Sequence, residues 1–318
     1  MLEKLLAARL SPRERLYALT LLSVATIVAA LLVAFAITFF AKAEPIFEKE
    51  GLGVYVWNVW RPSETNPAAE KYGLAAAIWG TIYVAVIAVL VSLPLSTALA
   101  ILVSEYLPGG RISEIVSMLV DAMAALPTIV YGLWGAFVLA PLLRDYVMKP
   151  LYLCCRFIPL FSYPPLTGYS ILTAGVLMGI MSVPYVASLI REAYALIPRS
   201  LREAVYALGA TKSEAIRVLL GYIKPVAVAA ALLGFGRAAG ETVAVALVVG
   251  NSFTISISPF APGYTIAALI ANQYGNAYLY TYMESALYAG GLLLLIIGVA
   301  VNVAGITLMQ RWLKRLHH

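Results

Sequence analysis

Residues 74–104 read LAAAIWGTIYVAVIAVLVSLPLSTALAILVS and contain no charged side chain. A helix needs roughly 20 apolar residues to cross the hydrocarbon core of a bilayer, which is about 30 Å thick. This stretch exceeds that length, and its single proline, Pro94, is a residue that membrane helices tolerate. The segment therefore predicts a membrane-spanning helix.

Five further apolar blocks lie along the 318-residue chain. With 62% hydrophobic residues, 12% charged residues and a mean hydropathy of +0.88, the composition excludes a water-soluble protein. The sequence predicts an all-α integral membrane protein with six transmembrane helices. We place these helices at about Leu16–Ala41, Leu74–Ser104, Ile115–Leu143, Gly168–Ile190, Val226–Gly250 and Glu284–Met309.

Lysines and arginines are shared unevenly between the two sets of connecting segments. Fourteen of the 22 fall in both terminal tails and in the loops after helices 2 and 4, and seven fall in the other segments. The positive-inside rule therefore places both termini in the cytoplasm. Because these residues are scattered, the net charge of +6 indicates topology and not nucleic-acid binding.

This topology divides the chain into five parts. We predict a cytoplasmic tail at 1–15, a first transmembrane helix at 16–41, an extracytoplasmic loop at 42–73, a transmembrane domain at 74–310 and a cytoplasmic tail at 311–318. The protein is expected to be a multi-pass protein of the cell membrane.

The longest cytoplasmic segment, Arg191–Pro225, lies between helices 4 and 5 and carries a charged helix-turn-helix pattern. Residues 201–208 have helical spacing, and Gly209 supplies the permissive backbone that ends a helix. Thr211 and Glu214 have the spacing of a capping box, which predicts a second short helix. The alternative at this point is an ordinary cytoplasmic loop.

Glu203 and Ala204, with Gly209 six positions after the glutamate, resemble the start of the Glu-Ala-Ala loop of ABC importer permeases. The family pattern continues with Ile-x-Leu-Pro, whereas residues 219–222 read LLGY and the proline comes only at Pro225. The end of the motif therefore departs from the family. The resemblance implies that Glu203, Ala204 and Gly209 belong to a coupling helix that docks into a groove of an ATPase subunit.

Two further stretches resemble phosphate-specific ABC permeases of the PstC type. Residues 236–244, GRAAGETVA, and the following Gly250-Asn251 are similar to the fifth helix of that subunit. They lack the Ala-Pro that follows Gly-Glu-Thr in the PstA-type partner. Residues 131–135, YGLWG, are similar to its third helix, and Ser104-Glu105-Tyr106 fits after the second.

This resemblance implies a permease subunit of an ATP-driven, binding-protein-dependent phosphate importer. The implied partners are a homologous PstA-type permease, two cytoplasmic ATPase subunits that use ATP, and an extracytoplasmic phosphate-binding protein. Phosphate and membrane lipids are the other expected contacts. No cofactor is expected on the chain itself.

Two charged residues, Arg237 and Glu241, lie inside the fifth predicted span. An arginine at the centre of a span costs about 2.5–3.5 kcal/mol on insertion scales. The i, i+4 spacing would place both on one helical face, where one interpretation is a buried ion pair that fixes helix register. The resemblance favours a substrate pathway, in which Arg237 attracts phosphate and Glu241 accepts the proton that phosphate retains and sulfate lacks.

No catalytic or metal site is predicted. The only histidines, His317 and His318, end the chain, and Cys154 and Cys155 are adjacent without spaced partners. Residues 209–213, GATKS, lack the spacing of a nucleotide-binding loop, so ATP is expected to be used by a separate subunit. The alternatives are a permease for another oxyanion such as molybdate, sulfate or phosphonate, an ion-coupled secondary carrier, and a membrane anchor for signalling.

Overall fold

The computed structural model describes residues 12–316. In this part of the chain the regular secondary structure is helical except for one two-stranded ribbon. Five helices are long and apolar enough to cross a membrane, and a bent pair of helices makes up to a sixth span. The predicted all-helical membrane class is confirmed, and the count of six depends on the bent pair. Of the predicted tails, residues 1–11, His317 and His318 lie outside the described residues.

Twelve α-helices are described between residues 12 and 316. They are α1 (Pro12–Glu50), α2 (Ala75–Ile101), α3 (Arg111–Ala125), α4 (Thr128–Trp134), α5 (Ala140–Leu143), α6 (Lys149–Cys155), α7 (Ile171–Ala195), α8 (Arg199–Ala207), α9 (Lys212–Gly240), α10 (Val243–Val248), α11 (Ile266–Gln273) and α12 (Met283–Leu316).

Shorter elements connect these helices. Turns of π-helix extend α2 through Leu102–Tyr106 and join α4, α5 and α6 through Gly135–Leu139 and Arg144–Met148. Short 3-10 helices lie at Gly51–Tyr55, Pro67–Ala69, Pro159–Phe161 and Tyr274–Leu279. Strands β1 (Trp60–Arg61) and β2 (Lys71–Tyr72) pair antiparallel in the loop between α1 and α2, with Trp60 opposite Tyr72.

Helix α1 is longer than predicted and continues from the expected end at Ala41 to Glu50. Pro45 lies inside it and removes a backbone donor from the helix. The amide of the next residue, Ile46, donates to the hydroxyl of Ser285 on α12 at 2.8 Å. This contact with a distant helix supports turns that apolar length alone did not predict, and the predicted loop at 42–73 is correspondingly shorter.

The third predicted span, Ile115–Leu143, is bent. Helix α3 ends at Ala125, Leu126 is extended, and the helical segments on either side make an angle of 96°. The ring of Pro127 crowds the residue before it and disfavours a helical conformation there. A proline inside an apolar block is expected to kink its helix, and at Pro127 the kink is a complete break between two helices.

The fifth predicted span is divided differently from the prediction. Helix α9 begins at Lys212, so the predicted second short helix is the first part of this 29-residue helix. It ends at Gly240, and Glu241 is extended with φ −71° and ψ 131° before α10 begins at Val243. The predicted bounds Val226–Gly250 are therefore wrong at both ends.

The local signals at the turn between α8 and α9 are confirmed. The Thr211 hydroxyl accepts a hydrogen bond from the Glu214 amide at 3.4 Å, while the Glu214 carboxylate accepts from the Thr211 amide at 2.8 Å. Gly209 follows α8 with a φ of +79°, in the left-handed region that glycine adopts without strain. Sequence patterns that involve only near neighbours thus predict this turn correctly.

Candidate functional site

Arg237 lies in the last turn of α9, and Glu241 is the first residue after that helix. Because the helix ends between them, the two side chains do not share a helical face. The ion pairs described in residues 12–316 join Arg144 and Lys149 to Asp145 and join Arg202 to Glu105. The register-fixing pair of Arg237 with Glu241, one of the two interpretations of their spacing, is therefore wrong.

Arg237 lies near the C-terminal end of α9, deep in the predicted span. The 13 residues from Lys224 to Arg237 correspond to a rise of about 20 Å. With the exposed Lys224 near the headgroups, this rise places Arg237 well inside a hydrocarbon layer of about 30 Å. The side chain is exposed and makes no ion pair with any residue in 12–316. Charged groups at this depth face a polar cavity or a partner, so the guanidinium is open to an anion or to another subunit.

The end of α9 that carries Arg237 has polar groups and open space beside it. The phenol of Tyr131 on α4 is within electrostatic reach of the guanidinium. Gly236 faces α12, where a Cβ built on it would lie 3.5 Å from the amide nitrogen of Asn302. At Gly240 a Cβ would meet no atom within 4 Å. The end of α9 therefore borders open space that a ligand or another helix can enter.

The glycines of the YGLWG stretch have a packing role. A Cβ on Gly132 would lie 3.0 Å from the Cα of Ala244, and a Cβ on Gly135 would lie 3.0 Å from the side chain of Val248. Gly132 lets α4 approach α10 closely, and Gly135 does the same for the π-helical turn that follows α4. The stretch thus holds α10 in place directly after the helix break at Glu241.

The Gly250-Asn251 pair ends α10 with a turn. Gly250 has φ +88° and Asn251 has φ +49°, and the Asn251 amide group donates to the carbonyl of Ala246 at 2.8 Å. Gly250 also forms a bridge with Gly263, across the extended segment that leads to α11. Gly250 and Asn251 therefore shape the backbone after α10 and carry no charge. The charged residues beside the break between α9 and α10 are Arg237 and Glu241.

The predicted coupling residues lie together on an exposed corner. Glu203 and Ala204 are exposed on α8, and Gly209 follows that helix with no atom within 4 Å of its built Cβ. The neighbouring Leu208 is 88% exposed, whereas Val205 is the buried residue of α8. This corner is accessible to a protein partner.

Glu105, in the turn that extends α2, is a centre of polar contacts. Its carboxylate oxygen accepts hydrogen bonds from the Arg202 guanidinium and, at 2.8 Å, from the Tyr194 hydroxyl. Lys212 donates to the Glu105 carbonyl oxygen at 2.6 Å. One residue thereby joins the ends of α2 and α7 to α8 and the start of α9.

Glu70 forms a second centre, in the loop between α1 and α2. The residue is 2% exposed, and its carboxylate accepts from the amides of Thr281 and Tyr282 at 3.1 Å each and from the Tyr72 hydroxyl at 2.9 Å. Burial, followed by the hydrogen bond to Glu70, raises the pKa of Tyr72, so the phenol remains a proton donor. These contacts fix the loop to the start of α12.

Comparison with known proteins identifies the family of the chain. Residues 92–316 match the family described as binding-protein-dependent transport system inner membrane component. The chain belongs to this family. It is 54% identical over 280 residues, 88% of each chain, to the probable phosphate transport system permease protein PstC of Methanocaldococcus jannaschii. It is 39% identical over 253 residues, 78% of this chain and 77% of the other, to phosphate transport system permease protein PstC of Xylella fastidiosa.

A solved structure supports the fold of this permease. The MetNI methionine ABC transporter, in inward-facing conformations, matches with a TM-score of 0.54 over 75% of this chain and 95% of that chain, at 20% identity. The resemblance to PstC-type permeases read from the sequence is confirmed by the relatives. Membership of a transport family also makes the chain a transport subunit and not an enzyme.

The two acidic centres of the permease were missed by sequence reasoning. Glu105 stands in a stretch that contributed to the family resemblance, but its contact with Arg202 crosses 97 residues of chain. Glu70 gave no local signal, because its amide partners lie 211 and 212 residues away. In residues 12–316, no group of three or more His, Cys, Asp or Glu side chains is placed to hold a metal ion.

Proposed function

We propose that the chain is the transmembrane permease subunit of an ATP-driven, binding-protein-dependent phosphate importer. The observation that carries the proposal is the guanidinium of Arg237, unpaired among residues 12–316, beside a helix break within the span. A guanidinium presents a planar fork of donors that matches phosphate oxygens. The named function of the PstC relatives supports phosphate as the anion.

Glu241 gives the pathway its selectivity. Phosphate retains a proton near neutral pH and can donate it to a carboxylate, whereas sulfate has no such proton and is repelled. A transit site must release its ion as well as bind it, and the negative charge of Glu241 weakens retention next to Arg237. The backbone at Glu241 is extended, so the carboxylate is not held on the helical face that carries Arg237.

The assembly follows from the family resemblance and the exposed corner of α8. Six spans with both termini in the cytoplasm place α8 on the cytoplasmic side of the cell membrane. There Glu203, Ala204 and Gly209 form the coupling helix and its turn, and dock on one of two ATPase subunits that use ATP. A homologous PstA-type permease completes the pathway, and an extracytoplasmic phosphate-binding protein delivers the substrate. The path then alternates between outward-facing and inward-facing states.

The test uses vesicles that contain this chain with its partner permease and ATPase subunits. Uptake of labelled phosphate is measured for the wild type and for Arg237→Ala, with competing arsenate, sulfate or molybdate. We expect Arg237→Ala to lower uptake by about tenfold or more at equal membrane abundance, because a charge-assisted contact to the anion is lost. Arg61→Ala, on the exposed loop between α1 and α2, is the matched control and should transport normally.

Two results would contradict the proposal. Unchanged uptake by Arg237→Ala would remove this residue from the pathway. Stronger inhibition by molybdate or sulfate than by arsenate would assign the permease to another oxyanion. Glu241→Gln sharpens the test, since it should increase inhibition by sulfate relative to arsenate while phosphate uptake continues.

A further inference from the structure

Four chain segments meet at Glu105, and we call this contact the Glu105 clamp (Glu105, Tyr194, Arg202 and Lys212). Arg202 of α8 donates both to the Glu105 carboxylate and, at 2.9 Å, to the carbonyl of Tyr194. Its guanidinium also lies 4.7 Å from the centre of the Tyr194 ring. Lys212 donates to the Glu105 carbonyl and lies 4.4 Å from the centre of the Tyr106 ring.

The clamp is partly shielded from water. The side chain of Glu105 is 11% exposed and that of Arg202 is 29% exposed, while Tyr194 is 1% exposed. An ion pair in this setting is screened less than a surface pair, and each of its hydrogen bonds is charge-assisted. Loss of one partner leaves the other charged group partly buried without compensation.

Helix α8 has few other attachments to the rest of the chain. Val205 is its buried residue, and Leu201 is half-buried against the apolar cluster that contains Tyr194. Most of the remaining side chains of α8, including Glu203 and Tyr206, are exposed. The clamp is therefore the principal polar connection between α8 and the transmembrane helices in the described part of the chain.

The helices at the other side of the clamp are closely packed. A Cβ on Gly175 of α7 would lie 2.5 Å from the Cβ of Ile87, and a Cβ on Gly179 would lie 2.6 Å from the Cβ of Val91, both on α2. Such close backbone approach makes α2 and α7 a rigid pair. Because Glu105 follows α2 and Tyr194 ends α7, a displacement applied to Arg202 acts on both helices.

We propose that Glu105 is a positioning residue that transmits the displacement of the coupling helix to the α2–α7 pair. This inference rests on the proposed importer function, in which ATPase subunits move α8. Arg202 carries the displacement into the clamp, and Glu105 and Tyr194 receive it at the ends of the two helices. Glu105 acts through these contacts and touches neither ATP nor the transported anion.

The first experiment measures coupling in purified complexes reconstituted in vesicles. We expect Glu105→Gln to reduce the amount of phosphate transported per ATP hydrolysed by about tenfold, since glutamine keeps the shape but loses the ion pair. ATP hydrolysis without binding protein should persist, and the concentration of binding protein for half-maximal transport should stay unchanged. Glu105→Asp should recover part of the ratio, and Glu105→Gln with Arg202→Gln should be no worse than either change alone.

The matched control is Glu192→Gln, because Glu192 is exposed near the end of α7 and forms no ion pair within residues 12–316. It should keep the wild-type ratio. A wild-type ratio in Glu105→Gln would overturn the proposal. Loss of the ATPase subunits from the purified Glu105→Gln complex would also overturn it, since the clamp would then serve assembly.

A second experiment does not depend on the substrate. Spin labels at Tyr185→Cys on α7 and Val303→Cys on α12, in a chain with Cys154 and Cys155 replaced by serine, report the distance between these helices. We expect ATP with vanadate to change this distance in the otherwise unaltered complex and not in Glu105→Gln. Equal changes in both would refute the clamp. Failure of the unaltered complex to take up phosphate, with a normal distance change, would refute only the substrate assignment.

Discussion

Glu70 and Glu105 each gather several chain segments around one carboxylate, yet their settings differ. They stand beyond opposite ends of α2, a helix of 27 residues that is about 40 Å long. Glu70 is 2% exposed, and its carboxylate accepts hydrogen bonds from neutral donors only, while Lys49 donates to its backbone carbonyl. The side chain of Glu105 is 11% exposed, and its carboxylate binds a guanidinium. Glu70 is therefore a buried structural contact, whereas Glu105 forms an ion pair that is partly exposed to solvent.

The segments around the two residues differ in the same way. Near Glu70, the ring of Trp60 stacks on Phe253 at 5.3 Å, and the Trp79 indole donates to the carbonyl of Ser256 at 2.9 Å. Around Glu105, α8 has one buried side chain, Val205. One end of the permease is therefore held by buried contacts. The other end, which carries the proposed coupling helix α8 and which we call the coupling end, presents an exposed surface.

The largest effect is expected at Gly80, where α2 meets the segment between α10 and α11. A Cβ there would lie 2.0 Å from the carbonyl oxygen of Tyr264, so Gly80→Ala forces the two backbones apart. We expect a loss of about 3 kcal/mol or more of folding free energy. The measurement is the thermal unfolding midpoint of the protein in detergent.

The control for this change is Gly221→Ala in α9, where a Cβ would meet no atom within 4 Å. Alanine favours a helix over glycine by up to about 1 kcal/mol, so this variant should unfold at the same or a higher temperature. If Gly80→Ala were as stable as Gly221→Ala, the end near Glu70 would not be the more rigid of the two ends.

A smaller effect is expected for Glu70→Gln. The NH2 of glutamine places a donor opposite either the Thr281 or the Tyr282 amide, so one buried hydrogen bond is lost at a cost of about 2 kcal/mol. Unfolding in detergent should begin at a lower temperature, and protease should cut the loop at residues 51–73 faster. Glu64→Gln, on the exposed part of this loop, should change neither quantity. Equal behaviour of the two variants would show that the buried carboxylate is not an anchor.

The smallest effect is expected at the coupling end, for Thr211→Ala. This change removes the capping box at the start of α9 and should cost about 1 kcal/mol. Amide hydrogen exchange in residues 211–215 should become faster, with little change elsewhere. Ser213→Ala, at an exposed position within the same turn, should leave exchange unchanged. A global drop in stability for Thr211→Ala would mean that the coupling end is as tightly integrated as the end near Glu70.

Sequence reasoning succeeded where the cause of structure is local. The membrane class follows from apolar length, the turn at Gly209 follows from a backbone conformation that glycine allows, and the capping box follows from a spacing of three residues. The candidate residues Arg237 and Glu241 were also found this way, because charged residues inside an apolar block stand out. Their roles in the pathway and the roles of Glu203, Ala204 and Gly209 in coupling stay predictions.

Features that depend on residues distant along the chain were seen only in the tertiary structure. The continuation of α1 to Glu50 is supported by the contact of Ile46 with Ser285 on α12. The end of α9 at Gly240, which separates Arg237 from Glu241, gave no signal in the apolar pattern and is seen only in the structure. The two acidic centres join residues 89 to 212 positions apart. Hydropathy and residue spacing report on residues within a few helical turns of each other. Buried polar groups instead form hydrogen bonds with residues that the fold brings near them, which are often distant along the chain, so these contacts could not be predicted from the sequence.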